Sequence, residues 1–307
     1  AVGEVTANLT YGASGLELDN TGAAEAFGDK ISGVLMATRT EGFPTKISTF
    51  TLTGPGIEAA ADAVITQTKP GLSIQSNVLL DVDTLSRFST LAGRDLGGSG
   101  SLAIGSEIKP LDGMFDVVLS GTSQDLVIGI PQLDAVFKGG GTISASAVRD
   151  EDGTRLEAFK IKTTQADLTA SANLTSLQSV GNVDLIVEDV SLIEPKLSGP
   201  ARITGTAQRD LEGITTANIQ GSDSVSNLAL NAILRPLAEG QAIEVAGLST
   251  IRDLRPYARL VGRDMSGGAE VELGSTILEN GLRVEGTLNA ATSNLAVGVA
   301  QLDPLLR

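Results

Sequence analysis

Three stretches of this chain have residue types and spacing that suggest chemistry. Asp150-Glu151-Asp152-Gly153 and Asp81-Val82-Asp83 offer carboxylates of the kind that bind calcium. The first lacks the later Glu of a helix-loop-helix calcium site, and no glycine-rich nonapeptide repeat accompanies either. It reads better as a solvated hairpin tip. Gly98-Ser99-Gly100-Ser101-Leu102-Ala103 fits G-x-G-x-x-A. A dinucleotide fingerprint needs a strand before it and a helix after it, and here that order is reversed. This stretch reads as a turn that resumes a sheet.

Nucleophilic catalysis has little material to work with. His and Cys are both absent, which removes most nucleophile–base pairs and the main ligands of tetrahedral zinc. No S-x-x-K opens a helix. Paired carboxylates could cleave glycosides, but such sites use aromatic sugar platforms, and the chain has two Tyr and no Trp. The sequons Asn8-Leu9-Thr10 and Asn173-Leu174-Thr175 carry no weight. The expectation is a protein that is not an enzyme, with no catalytic residue, metal or cofactor.

The elements around these residues are more informative. Leu85–Gly105 reads LSRFSTLAGRDLGGSGSLAIG, and Leu254–Gly274 reads LRPYARLVGRDMSGGAEVELG. Gly93-Arg94-Asp95 returns as Gly262-Arg263-Asp264, 169 positions on, and Gln132-Leu133-Asp134 returns as Gln301-Leu302-Asp303. This defines repeat units of approximately 82–138 and 251–307. A second repeat, shifted by 60, carries Ile143…Arg149-Asp150…Gly153 onto Ile203…Arg209-Asp210…Gly213. It gives hairpin repeats of approximately 142–174 and 202–234. Repeated strand pairs predict a single array over 1–307 in which each unit packs on its neighbours.

Strand signals dominate. Ser101–Gly105, Phe115–Leu119, Thr142–Ala147, Asp167–Ala172, Arg202–Ala207 and Glu270–Leu273 alternate between aliphatic or small residues and Ser, Thr, Asn or charged ones. Period two of this kind predicts a sheet with one dry face and one wet face. Asp112-Gly113, Asp152-Gly153, Asn280-Gly281, Glu41-Gly42 and Glu212-Gly213 mark hairpins. Val82–Ala92 and Asp253–Val261 have helical spacing, open near Thr or Asp caps and end at Gly93 and Gly262. A further helical turn is expected around Leu234–Glu239.

The dry face collects Leu102, Ile104, Phe115, Val117, Leu119, Ile143, Leu168, Ile203, Leu228, Leu230, Val271, Leu273 and Val284. Periodicity allows two readings of it, a closed core or an open hydrophobic groove.

Composition narrows the partners. Net charge is −15, pI is near 4.4, aromatics are 3% and mean hydropathy is +0.15. An acidic chain is unsuited to nucleic acid or to anionic membrane surfaces. Its apolar character for a soluble chain fits an exposed oily face. No apolar run is long enough for a membrane helix. The ends read as cuts through a repeat, so the chain is expected to be a slice of a longer protein.

A short helix ending in Leu-Ala-Gly-Arg-Asp-Leu, a Gly-rich strand start and hairpins of the form A-x-R-D-x-x-G-x-x-L resemble the periplasmic β region of TamB proteins, in the AsmA-like superfamily. The resembling segments are Leu85–Gly105, Thr142–Leu174, Arg202–Leu234 and Leu254–Gly274. The resemblance implies an all-β fold: an elongated curled antiparallel or mixed sheet, a β-taco with an open solenoid-like groove and a few short helices. It implies a periplasmic protein anchored in the inner membrane outside this segment. It also implies a TamA-like outer-membrane barrel as partner, and phospholipid acyl chains or extended client polypeptide as cargo. The implied role is outer-membrane biogenesis, through assembly of outer-membrane and autotransporter proteins or phospholipid transport. The alternative is an acidic structural or adhesive stalk; a third reading, a carbohydrate-active β-solenoid, would bind polysaccharide.

Overall fold

A computed structural model describes residues 3–67, 71–237, 241–278, 283–299 and 301–306. The chain is all-β and antiparallel. It divides into two units, Ala1–Thr164 and Gln165–Arg307.

Unit 1 holds β1 (Glu4–Ser14), β2 (Lys30–Thr40), β3 (Thr45–Gly54), β4 (Ile57–Gln67), β5 (Leu72–Val82), β6 (Gly97–Lys109), β7 (Met114–Val127), β8 (Gly140–Asp150) and β9 (Gly153–Thr163). Unit 2 holds β10 (Ala166–Thr175), β11 (Ser179–Val187), β12 (Ala201–Arg209), β13 (Thr215–Asp223), β14 (Ser226–Pro236), β15 (Gln241–Ile251), β16 (Ser266–Leu278) and β17 (Arg283–Ala296). Within each unit every strand pairs with its neighbours in the chain. Each unit is thus an open meander, and neither closes into a barrel.

In an up-and-down meander, connections after odd and even strands fall at opposite ends. The short helices all follow odd strands. They are α1 (Thr21–Phe27), the 3-10 turn Leu85–Phe88 running into α2 (Ser89–Ala92), and α3 (Pro131–Val136) in unit 1. In unit 2 they are the 3-10 turn Val190–Leu192, Arg255–Tyr257 running into α4 (Ala258–Val261), and the 3-10 turn Asp303–Leu305. The short helices thus share one rim of each sheet with the tight β3–β4 and β13–β14 turns, and the described connections on the other rim are hairpin turns. Gly42 (φ 80°) and Gly113 (φ 67°) occupy left-handed turns on the hairpin rim, where a Cβ would be strained.

Among the described residues, all the buried aliphatic side chains but Ala242, at the hairpin end of β15, lie at the helical rim. Ile57 and Val82 are buried there, and Ala26 of α1 is wholly inaccessible. Phe27 meets Phe88 edge-on at 6.3 Å, a favoured aromatic geometry. Gly22 lets α1 approach α2 closely, because a Cβ there would sit 2.8 Å from the Leu91 nitrogen. In unit 2, Val187, Ala166 and Leu254 are buried at the same kind of rim. There Tyr257 donates its one hydroxyl proton to Asp223 and shares a second hydrogen bond with Ser226 Oγ at 2.7 Å. Burial alone would raise the Asp223 carboxyl. Hydrogen bonds from Tyr257 and from the Val225 and Ser226 N–H groups outweigh it and hold Asp223 below its usual range.

Segments related by the 169-residue shift share fine geometry. Gly93 (φ 66°) and Gly262 (φ 71°) end α2 and α4 in the left-handed region. Register bulges follow at Gly97/Ser99 and Ser266/Gly268. Asp125 and Asn294, the non-glycine residues with positive φ among the described residues, also match (51° and 50°). Asp134 Oδ1 accepts the Ile128 N–H, and Asp303 Oδ1 accepts the Val297 N–H, each at 2.7 Å.

Three local expectations change. The segments at 82–92 and 253–261 are helical only from Leu85 and Arg255, because Val82 and Ile251 still belong to strands. Asp253 does accept the Arg255 N–H at 3.0 Å, but Thr84 makes no side-chain cap. Leu234–Pro236 is not helical: it ends β14, its register held by pairs such as Leu234 with Ile243. The rest of that proposed turn, and the Asn280-Gly281 hairpin, lie outside the described residues.

Candidate hydrophobic groove

Cross-strand partners share a face, so the registers assign every side chain to one side of its sheet. In unit 1, Leu80, Leu102 and Gly121 align, as do Val78, Ile104 and Leu119. Gly121 faces Ile143, and Ile108 faces Phe115. Val117 shares this face, one step along β7. In unit 2, Leu168 aligns with Leu185 and Ile203, and Ile203 with Gly221 and Leu228. Leu230, Gly247 and Leu273 form another row, while Val271 faces Ser249 and Val284 faces Ile277. Every aliphatic or aromatic residue named from the sequence thus lies on the apolar face of its own unit.

Other residues complete that face. Leu9, Leu35 and Phe50 form a row in unit 1, and Tyr11, Gly33 and Leu52 form the next. Strict alternation in Ala7-Asn8-Leu9-Thr10-Tyr11 carries the signal for β1. It is broken in β3, where an extra residue near Ser48 shifts the register against both β2 and β4 and moves the period by one.

Glycines make the face concave. A Cβ on Gly33 would lie 1.9 Å from the Thr51 carbonyl and 2.4 Å from Tyr11 Oη. Tyr11 instead reaches over Gly33 and donates to that carbonyl at 2.6 Å. A Cβ on Gly121 would lie 2.5 Å from the Ser101 carbonyl, and one on Gly247 would lie 2.6 Å from Leu230 Cδ2. On the opposite face, Gly12 and Gly105 would meet nothing nearer than 3.8 Å. At Gly33, Gly121 and Gly247 neighbouring groups crowd the inward side, whereas the inward Gly181 and Gly221 have nothing nearer than 3.9 and 3.6 Å; the bend is local to the crowded positions.

The concave face lacks a covering layer. Among the described residues no large side chain is fully buried, and Ile203 (45%), Leu228 (37%), Leu273 (38%) and Val284 (63%) remain exposed. Between the strand ends the face carries no charge. Its arginines, Arg39, Arg149 and Arg209, sit at the hairpin rim, opposite Val5, Thr154 and Thr215. Ser76 and Ser106 share a hydrogen bond at 2.8 Å, so the polar notch they make is satisfied.

The convex face carries polar ladders, with Leu79, Val118 and Leu248 exposed among them. Ser101 bonds Thr122 at 2.8 Å, and Asn231 bonds Asn218 at 2.8 Å. Arg202 forks onto Asp184 at 2.9 and 2.7 Å, and that guanidinium holds the Asp184 carboxyl below its usual range. Asp150 is lowered by Arg155 at the hairpin tip, and its Oδ1 accepts the Asp152 N–H at 3.0 Å. Asp81 stands on the convex face opposite Glu58 and Ser101. Gly98 (φ 85°) packs against the Asp125 and Gln124 carbonyls, so this glycine run shapes a bulge. Among the described residues no three His, Cys, Asp or Glu side chains converge to hold a metal ion, and no helix is long and apolar enough to cross a membrane. No protein-family model, curated protein or solved structure matches this chain.

Proposed function

We propose that the chain is a non-enzymatic groove protein of the TamB type, whose concave sheets hold acyl chains or extended apolar polypeptide during outer-membrane biogenesis. The observation that carries this reading is the uncovered apolar face of each unit, free of charge between the strand ends. An acyl chain withdrawn from water gains about 0.8 kcal/mol per CH₂, so such a floor offsets the cost of carrying lipid through an aqueous space. The convex ladders and the net charge of −15 keep the outer surface wet. Periplasmic location, an inner-membrane anchor elsewhere in the protein and a TamA-like barrel partner belong to the same proposal.

Photo-crosslinkers at Ile104 and Leu273, compared with outward Ala103 and Thr276, test it in cells. Capture of phospholipid or client from the inward positions alone is expected. Equal capture from both faces, or none from either, refutes it.

A further inference from the structure

We propose that the concave face takes a lipid with a phosphate head, its acyl chain on the apolar floor and its phosphate against the hairpin-rim arginines Arg39, Arg149 and Arg209. This inference rests on the groove reading above and names the cargo. Among the described residues, the strand arginines divide by face. Arg155, Arg202, Arg235 and Arg283 are convex, and each is in an ion pair. Arg39, Arg149 and Arg209 are concave and exposed. Their guanidinium groups make no hydrogen bond or ion pair with any described residue.

The other charges are sorted too. The strand lysines Lys30, Lys46, Lys109, Lys160 and Lys162 are convex, opposite Ser14, Val64, Met114, Ser144 and Thr142. Among the described strand carboxylates only Asp223 is concave; it lies at the helical rim, held by Tyr257 and backbone N–H groups. In a chain of net charge −15, the strand ends of the oily face at the hairpin rim thus carry guanidinium alone. Acids of the adjoining turns do not pair with it: Asp150 takes Arg155, and Asp210 takes the Ile214 N–H. Remote acids are screened beyond about 8–10 Å at ordinary salt. Each arginine also adjoins an apolar row. In unit 1 one register row runs through Ile65, Ile74, Ile108 and Phe115 to Arg149. In unit 2 Arg209 leads through Thr215 to Leu234, Ile243 and Ile277. Beside Arg39 a cleft of about 550 Å³ is lined by Val5, Phe43, Ile65 and Leu72. Guanidinium is weakly hydrated, tolerates apolar neighbours and matches phosphate oxygens with a two-pronged fork. A strand end that needed only solubility would be served by lysine. An uncharged stretch of polypeptide offers these arginines no anion. Charge also sets the direction of seating, head at the hairpin rim and tail toward the rim that holds Asp223.

Calorimetric binding of dodecyl phosphate and of uncharged dodecyl maltoside to the whole chain, below their micelle concentrations, is the test. The native chain should bind the phosphate at least about fivefold more tightly at low salt, and the preference should shrink as salt is raised. R39Q/R149Q/R209Q should keep the native circular-dichroism spectrum and the affinity for maltoside, and lose the preference. R39K/R149K/R209K should recover part of it, and R202Q on the convex face should keep all of it. Equal affinity of the native chain for the two amphiphiles, or a preference that survives in the glutamine variant, would overturn the inference and leave the groove reading standing. Binding of neither amphiphile would overturn both. Inorganic phosphate displacing dodecyl phosphate at equal concentration would make these free-anion sites and overturn the inference. An uncharged apolar peptide that binds the native chain and the glutamine variant as tightly as dodecyl phosphate binds the native chain would assign the face to polypeptide, with the same result.

Discussion

Replacing Gly121 by Ala tests whether the sheet of unit 1 is bent toward its apolar side. The added Cβ would fall 2.5 Å from the Ser101 carbonyl, 2.9 Å from Leu102 Cδ1 and 3.2 Å from Ile143 Cγ2. The two side chains can shift, but the carbonyl is held in the β6–β7 ladder. Overpacking against backbone costs about 1–3 kcal/mol. For a unit of this size that lowers the melting temperature by roughly 2–4 °C per kcal/mol. Gly105→Ala, on β6, is the internal control: its Cβ would point outward, with Asn77 Oδ1 nearest at 3.8 Å. Removing the backbone entropy of a strand glycine should stabilise by about 0.5–1 kcal/mol. Urea unfolding followed by circular dichroism reads both, with m values unchanged if the native fold is kept. The two variants should shift the midpoint in opposite directions. Equal shifts of the same sign would mean that both faces are equally open and that the curvature argument is wrong.

Ile104→Asp and Leu273→Asp should retain the strand spectrum and lose binding of an environment-sensitive apolar dye; collapse of the spectrum would show that the face is a closed core. Asp134→Ala and Asp303→Ala should each cost about 1 kcal/mol in urea unfolding, as cap removal does, because each frees one buried-side N–H; a loss at only one site would break the structural equivalence of the repeats. Asp184, held below its usual range by Arg202, binds its proton more readily unfolded than folded. Its stabilisation is therefore complete above the ordinary carboxylate range and is lost as pH falls through the lower folded value. Arg202→Ala should move the Asp184 carbon-13 titration midpoint upward, and an unchanged midpoint would discount the pair.

Much of this architecture was legible because a half-exposed strand has few ways to be written. Leu102, Ile104, Val117 and Leu119 recur at every second position, with Ser101, Ala103, Gly105, Asp116, Val118 and Ser120 between and beside them, and the side-chain period of two turns that pattern into a face. Gly93 and Gly262 stop helices wherever they occur, since α2 and α4 end in a conformation that only glycine adopts cheaply. Other features were not legible. α1 is seven residues long and reads TGAAEAF, without an apolar stripe; its position depends on the close approach of Gly22 to Leu91. The helical turn expected near Leu234 gave way to cross-strand pairing with β15, a tertiary choice over local propensity. Alternation also cannot tell a groove from a core. That distinction comes from Gly33, Gly121 and Gly247, whose crowded inward sides appear only once neighbouring strands are in register.

Pairing only between chain neighbours has a consequence for how the protein forms. Each new strand docks on the one just made, across a tight turn or one of the longer helix-bearing connections such as Val82 to Gly97, so no long-range closure has to be made as the ribbon lengthens. A polypeptide emerging through a membrane pore could zip up one hairpin at a time, and each completed rung would resist backsliding. Cutting whole hairpins from the growing end should leave the remaining ladder intact, and a truncation series monitored by proteolysis would reveal such stepwise independence.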